Sequence, residues 1–332
     1  MVYEEVLKSF FVGEEVFDVE KTVFGSGSPV CTILAGVHGD EVLGRNVAER
    51  FIDILDDKEL KGSVQVITRA NPFACSSDTR LTPWPKFERN EGEVRDLNRC
   101  FKAAKEGIEN SRSLNITQLV AKSLLEDLKN SDVVLDLHNA TSGGKKVAQA
   151  RYKVSKDFSS KVVEVMERLA RSTVSDFIME SDTGFVGGST VSSILPLYKV
   201  PVITFEVAGG STHIEEDFFE YIKLVENVLV ELGIFGDGKK SSDGHEKTNE
   251  PTVFHGIRSM YSGSFGYFKP TKSLGESVEK GDVVGKIFDR KGAVLEKVTT
   301  SFNGFIESLC DEGVLNEGNR IANIGVSKKD LK

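Results

Sequence analysis

Between Val30 and Leu232, short apolar runs rich in strand formers alternate with amphipathic helical stretches, and this alternation is the strongest constraint on the fold. Val30–Ala35 is a strand-like run closed by Gly36. A helical pattern opens at Asp40 or Glu41, with Val42, Leu43, Val47, Phe51, Ile52 and Leu55 forming its apolar stripe. Val64–Thr68, the DVVLDLH run after Ser131, and Val200–Val207 read as further strands. Leu114–Leu128, Val162–Leu169 and Glu215–Leu232 read as helices. Strands separated by helices specify an α/β fold whose sheet is covered on both faces.

The pattern changes once. Residues 236–251 (GDGKKSSDGHEKTNEP) are almost free of apolar side chains and read as a solvated linker. Beyond it, glycines punctuate short alternating runs, and VEKGDVVGKIFD and GVLNEGNRIANIG read as strand–turn–strand units. The expected division is therefore a domain over residues 1–235, a linker over 236–251, and a small all-β sandwich or barrel over 252–332.

Charge narrows the partners. The 42 Lys and Arg against 51 Asp and Glu leave a net charge of -9, with no basic stripe. That argues against nucleic acid and anionic membranes. No run approaches ~18 uninterrupted apolar residues, and the acidic N-terminus lacks a signal-peptide pattern. Cys31, Cys75, Cys100 and Cys310 have no CxxC spacing, so reduced, mostly buried thiols in a cytoplasmic protein are expected.

The chemistry-bearing residues sit where strands end. In Gly36-Val37-His38-Gly39-Asp40-Glu41, a strand-to-helix turn would aim His38 and Glu41 into the crevice at the carboxyl edge of the sheet. An imidazole and a carboxylate at this spacing can meet one zinc ion. The spacing by itself also fits a surface histidine beside a helix-start glutamate. In the second segment, Asp136 and His138 lie two apart on one strand and share a face. A carboxylate beside a ligating histidine fixes its tautomer, whether that histidine is His138 or His38. Two histidines and one glutamate leave a zinc coordination position open, the catalytic pattern.

Glu206 ends the apolar run of ITFEVAGG. A carboxylate there is either a strand end reaching water or a general base. Asn71-Pro72-Phe73-Ala74, Arg80 and Asp96-Leu97-Asn98-Arg99 complete the set, since guanidinium forks suit carboxylates and developing oxyanions.

Taken together, GVHGDE, NPFA with Arg80, DLNRCF, DLH and TFEVAGG resemble, in order, the motifs of the succinylglutamate desuccinylase/aspartoacylase family, a branch of the zinc carboxypeptidase superfamily. The resemblance covers roughly residues 25–235. It implies a mixed, mainly parallel sheet between helices, with one zinc per chain held by His38, Glu41 and His138. It implies Glu206 as general base and acid, Arg80 as oxyanion stabiliser, and Asn98 with Arg99 as a clamp on a substrate carboxylate. The implied activity is hydrolysis of the amide of an N-acyl amino acid or related small N-acyl amine, including an N-acyl diamine.

The chain departs from the family pattern in two places. Lys102 and Ala103 follow NRCF where Pro-Gly is usual. Aspartoacylases proper carry a further arginine shortly before the catalytic glutamate, for the acidic part of the substrate; here PLYKVPVITF offers only Lys199. Tyr198, Tyr261 and Tyr267 are the candidates for an aromatic lid. A zinc carboxypeptidase or cell-wall peptide amidase is the alternative enzyme, and a non-catalytic metal- or ligand-binding module the alternative outside catalysis. The C-terminal β-domain is expected either to narrow access to the site or to support a homo-oligomer.

Overall fold

The computed structural model describes residues 2–83, 94–110, 113–140, 144–186, 188–209, 215–236 and 250–331. Its first ten strands are β1 (Val2–Val12), β2 (Glu15–Ser26), β3 (Val30–Leu34), β4 (Gly62–Ile67), β5 (Val133–His138), β6 (Lys145–Lys146), β7 (Gln149–Val154), β8 (Phe177–Asp182), β9 (Val202–Glu206) and β10 (Thr252–Phe254). All but β6 join one nine-stranded sheet in the order β1-β2-β4-β3-β5-β9-β7-β8-β10. The centre β4-β3-β5-β9 is parallel, and β7 turns antiparallel beside β9. The sheet is thus mixed and mainly parallel, as the resemblance implied.

Helices cover both faces. They are α1 (Val42–Asp56), α2 (Pro72–Ser76), α3 (Phe101–Asn110), α4 (Ile116–Leu128), α5 (Ser160–Ser172), α6 (Val191–Ile194) and α7 (Glu215–Glu231). Side-chain alternation along the strands divides the core. Ile33, Leu135, Ile203 and Phe205 pack with Val47 and Phe51 of α1, Met166 of α5 and Val225 of α7. Leu34, Val134 and Val202 face the other way, onto Phe101, Val120, Leu124 and Ile194. Each such side chain, fully buried, contributes ~1.5–3 kcal/mol. Asp136 and His138 fall on the second face by the same alternation, and β9 puts Thr204 and Glu206 there beside them.

Helix starts follow their capping chemistry. Asn115 caps α4, and Asn115 and Gln118 satisfy each other's backbone N–H groups in a capping box. This places the helix start two residues beyond the expected Leu114.

The remaining strands are β11 (Gly256–Tyr261), β12 (Gly266–Pro270), β13 (Ser277–Val278), β14 (Val283–Phe288), β15 (Val294–Thr299), β16 (Gly304–Leu309), β17 (Gly313–Leu315) and β18 (Arg320–Val326). They build two antiparallel sheets, β11-β18-β16-β13 and β15-β14-β12-β17, around a core of Phe268, Val284, Ile287, Ile306 and Ile324. The two expected strand–turn–strand units exist, but their strands do not pair with each other. β13 pairs with β16 while β14 joins β12 and β15. β17 pairs with β12 while β18 joins β11 and β16. Each glycine turn carries the chain from one sheet to the other.

Most of the expected linker, including His245, lies outside the described residues. On its far side, β10 pairs in parallel with β8 and extends the large sheet. The large sheet therefore takes one strand from beyond residue 251. In return, β6 pairs with β16 and extends a C-terminal sheet.

Candidate metal centre and active-site cavity

β3 ends at Leu34, and the following turn must pass close to the loop after β4. At Gly36 the φ is +71°, and a Cβ would lie 2.7 Å from the Thr68 carbonyl oxygen. At Gly39 a Cβ would fall 2.0 Å from the Ala74 carbonyl oxygen. Only glycine fits both positions, and the tight turn between them buries His38 and delivers Glu41 as the N-cap of α1. His138 arrives as the last residue of β5.

The three side chains converge. His38 Nδ1 lies 2.7 Å from Glu41 Oε1, and His138 Nδ1 lies 2.6 Å from Glu41 Oε2. All three are buried, and one candidate ligand atom from each lies within 4.8 Å of the others. Tetrahedral ligands at ~2.1 Å from a zinc ion stand ~3.4 Å apart, so the donor set fits a single ion in chemistry and spread.

The other ring nitrogens are anchored by carboxylates. His38 Nε2 is 3.0 Å from Asp96 Oδ1. His138 Nε2 is 3.1 Å from Asp136 Oδ1, an ion-pair contact off the hydrogen-bond axis. With Nδ1 turned to a metal, Nε2 carries the hydrogen and faces an acceptor in both rings. Asp136 thus sits on His138, resolving the choice left open by the sequence. The matching role of Asp96 was missed, although its segment was singled out; only the fold brings it beside His38.

The charges of the three groups support one another. Burial pushes the Glu41 carboxyl up, but His38 and His138 outweigh it and hold the pKa well below the usual value. Burial opposes charge on His138, but Asp136 and Glu41 raise its pKa well above the ordinary imidazole value. His38 is raised by Glu41 and Asp96 against the same burial penalty.

The eight expected site residues, His38, Glu41, Arg80, Asn98, Arg99, Asp136, His138 and Glu206, all border one cavity of about 440 Å³. Arg80 spans the cluster, with Nη1 3.3 Å from Glu41 Oε1 and Nη2 3.3 Å from Asp96 Oδ2. Asn98 Oδ1 accepts from the Val191 N–H at 3.0 Å, and its Nδ2 lies 3.4 Å from His138 Nε2. Its carboxamide is thus fixed by α6 and lies beside the His138 ring at the end of β5. Glu206 ends β9 opposite His138.

Glu206 is held by two cations that sequence reasoning did not identify. Lys146 Nζ lies 2.9 Å from Oε2, and Arg151 Nη1 lies 3.2 Å from Oε1. Burial works upward on this carboxyl, yet Lys146 and then Arg151 bring its pKa down to about 2. A third missed cation is Lys153, two residues beyond Arg151 on β7 and on the same cavity. Lys153 is only 8% exposed, and its Nζ has no hydrogen-bond partner among the described residues. Burial, followed by Arg99 and Arg151, pushes its pKa down to about 8. The only sequence signal for these three is the basic residue type at Lys146, Arg151 and Lys153.

The three lid candidates, Tyr198, Tyr261 and Tyr267, do not border the cavity. His213 lies outside the described residues. All four cysteines are buried and unbridged. No helix among the described residues is long and apolar enough to cross a membrane.

Residues 28–232 match the profile described as the succinylglutamate desuccinylase/aspartoacylase catalytic domain. No curated protein sequence matches the chain. Among solved structures, the chain resembles a succinylglutamate desuccinylase/aspartoacylase from Rhodobacter sphaeroides at 22% identity, TM-score 0.71, covering 93% of this chain and 89% of that one. It also resembles the product-bound ectoine utilization protein EutE (DoeB) from Ruegeria pomeroyi, at 17% identity and TM-score 0.76, covering 98% and 95%. A succinylglutamate desuccinylase from a Silicibacter species gives 18% identity and TM-score 0.74, covering 98% and 94%. At these identities the likeness concerns the fold.

Proposed function

The chain belongs to the succinylglutamate desuccinylase/aspartoacylase family, and from that premise we propose that it is a zinc-dependent hydrolase of the amide bond in small N-acyl amino acids. The observation that carries this reading is the convergence of His38 Nδ1 and His138 Nδ1 on the two oxygens of Glu41. It is strengthened by Glu206 on the next strand, bordering the same cavity.

Bound at His38, Glu41 and His138, zinc would polarise the scissile carbonyl and lower the pKa of an attacking water. The chain's own residues then do the following. Glu206 takes a proton from the attacking water and returns it to the leaving amine. Arg80, whose guanidinium already lies against the cluster, offers donors to the oxyanion of the tetrahedral intermediate. Arg99, with the amide of Asn98 beside it, holds a carboxylate of the substrate. Asp96 and Asp136 keep the two imidazoles oriented.

The lining of the cavity selects among substrates. Arg80, Arg99, Lys146, Arg151, Lys153 and Arg320 all border it. Its acids, Glu41, Asp136 and Glu206, are already engaged with histidines or cations. A diamine would add positive charge to this surface. An N-acyl compound with a second carboxylate would instead give the buried Lys153 Nζ a partner. The cation absent from the sequence before Glu206 is thus available in space from β7. About 440 Å³ also fits a small molecule better than a peptide chain. Buried, unbridged cysteines suit a cytoplasmic enzyme.

The test is bound metal and hydrolysis, measured on wild type and Glu206→Ala with a panel of N-acetyl and N-succinyl amino acids, N-acetyl diamines and short peptides. Near-stoichiometric zinc in both proteins, with hydrolysis only in wild type and only of acidic acyl amino acids, is expected. Failure to bind zinc after reconstitution would sink the reading.

A further inference from the structure

The C-terminal β-sheets reach into the active site through one buried carboxylate. Glu307 lies on β16 and is fully buried. Its Oε1 accepts from Arg151 Nη2 at 3.0 Å and from Gln149 Nε2 at 2.8 Å. Its Oε2 accepts from Asn323 Nδ2 at 3.2 Å. Three donors from two sheets therefore converge on one side chain. A carboxylate accepts at both atoms, whereas a carboxamide would set an N–H group against donors on one side.

Arg151 is fixed by this arrangement. Its Nη1 donates to Glu206, its Nη2 to Glu307, and its Nε to Gln149 Oε1 at 3.0 Å. Both termini of the guanidinium fork are taken by carboxylates, and the planar geometry transmits the position of one to the other. The second cation on Glu206 has the same origin. Lys146 sits on β6, which pairs with β16 at Ser308 and Leu309, and the Val147 N–H donates to the Glu307 carbonyl at 3.0 Å. Two anions and two cations alternate, Lys146–Glu206–Arg151–Glu307, in a partly buried row.

We infer that Glu307 is a positioning residue for the reaction: through Arg151 it sets the place of the Glu206 carboxylate, and strand β16 is the platform on which the general base is held. The inference rests on the reading of Glu206 as the base. It assigns the C-terminal sheets a positioning part in the reaction, one that neither a narrowed entrance nor an oligomer interface requires.

The test compares Glu307→Gln, Arg151→Met and the pair Arg151→Met/Glu307→Met, all zinc-loaded, using the best substrate of the panel above. Glu307→Gln is expected to lower kcat by roughly 10-fold, a modest part of the ~100-fold that misplacement of reacting groups by about 1 Å produces, with KM within about twofold. The paired variant, which removes both buried charges together and so keeps the fold even where a lone charge would disrupt it, is expected to match Arg151→Met in kcat. Glu307 acts only through Arg151, so its loss then has nothing further to change. Unchanged kcat in Glu307→Gln, or a paired variant slower than Arg151→Met by the full Glu307→Gln factor, would overturn the inference.

A crystal structure of Glu307→Met, which leaves no acceptor facing Arg151 Nη2, gives a readout free of activity. Arg151 Nη1 is expected to leave its position against Glu206 Oε1; finding it in place overturns the proposal. If wild type hydrolyses nothing, the proposed function fails, and the Glu307→Met crystal structure still decides whether Glu307 positions Arg151.

Discussion

Arg151 and Lys153 border the same cavity from one strand, yet Arg151 is paired with Glu206 and Glu307 while the Lys153 Nζ has no hydrogen-bond partner among the described residues. A buried ammonium without a partner is costly, and such a cost is kept where a ligand supplies the missing charge. On the proposed function, the substrate's second carboxylate is that partner.

Replacing Lys153 by methionine should therefore separate binding from stability. For substrates with a second carboxylate, KM is expected to rise by roughly 10- to 100-fold, the equivalent of one charged hydrogen bond, with kcat within a few-fold. The substrate-free protein is expected to melt no lower than wild type, and higher if the buried charge is a net cost. Steady-state kinetics and a melting curve check both. Equal KM for mono- and dicarboxylate substrates in both proteins would remove Lys153 from recognition.

The same lysine sets a pH dependence. Its pKa is depressed to about 8, first by burial and then by Arg99 and Arg151. A base with a lowered pKa is charged below that value and neutral above it. KM for dicarboxylate substrates should accordingly be low below pH ~8 and climb above it. In Lys153→Met this rise should be absent. A bound carboxylate favours the charged lysine, so the rise belongs to the free enzyme and is read in kcat/KM rather than in kcat.

If His38 and His138 hold zinc as proposed, Asp96→Asn and Asp136→Asn should each weaken its binding by about 10- to 100-fold, because each carboxylate lies against the Nε2 of one of these rings. Competition with a chromogenic chelator measures this. Asp96 also holds Arg80, so Asp96→Asn should lose activity per bound zinc as well, whereas Asp136→Asn should lose mainly affinity.

Gly39→Ala should disrupt the turn that carries His38 and Glu41 without altering either side chain. The added methyl would meet backbone at 2.0 Å, from the Ala74 carbonyl oxygen, so the main chain itself must shift. A loss of at least ~3 kcal/mol in stability, together with loss of zinc, is expected from calorimetry and metal analysis. A folded, zinc-replete Gly39→Ala protein would mean that the turn is more compliant than its packing indicates.

Local pattern decided a good deal. The strand runs ending at Leu34, His138 and Glu206 and the helices between them follow from side-chain period alone, so the α/β class was legible, as was the placement of His38, Glu41, His138 and Glu206 at strand or turn ends. Alternation along β5 also put Asp136 with His138, because residues two apart on a strand share a face irrespective of the rest of the fold.

Pairings between distant segments were decided only in three dimensions. Asp96 meets His38 across 58 residues, and Arg151 meets Glu307 across 156. The two glycine turns of the C-terminal region look like hairpin turns locally, but their strands enter different sheets. Periodicity and turn chemistry specify the conformation of a segment, since those depend on near neighbours. Which strand it joins, and which charge it faces, depends on burying the summed apolar faces of the whole chain. The sequence by itself therefore determined the elements and put His38, Glu41 and His138 at their ends. Tertiary structure alone brought those three side chains together, placed the cations around Glu206, left the Lys153 Nζ without a hydrogen-bond partner among the described residues, and tied Glu206 to β16 through Arg151 and Glu307.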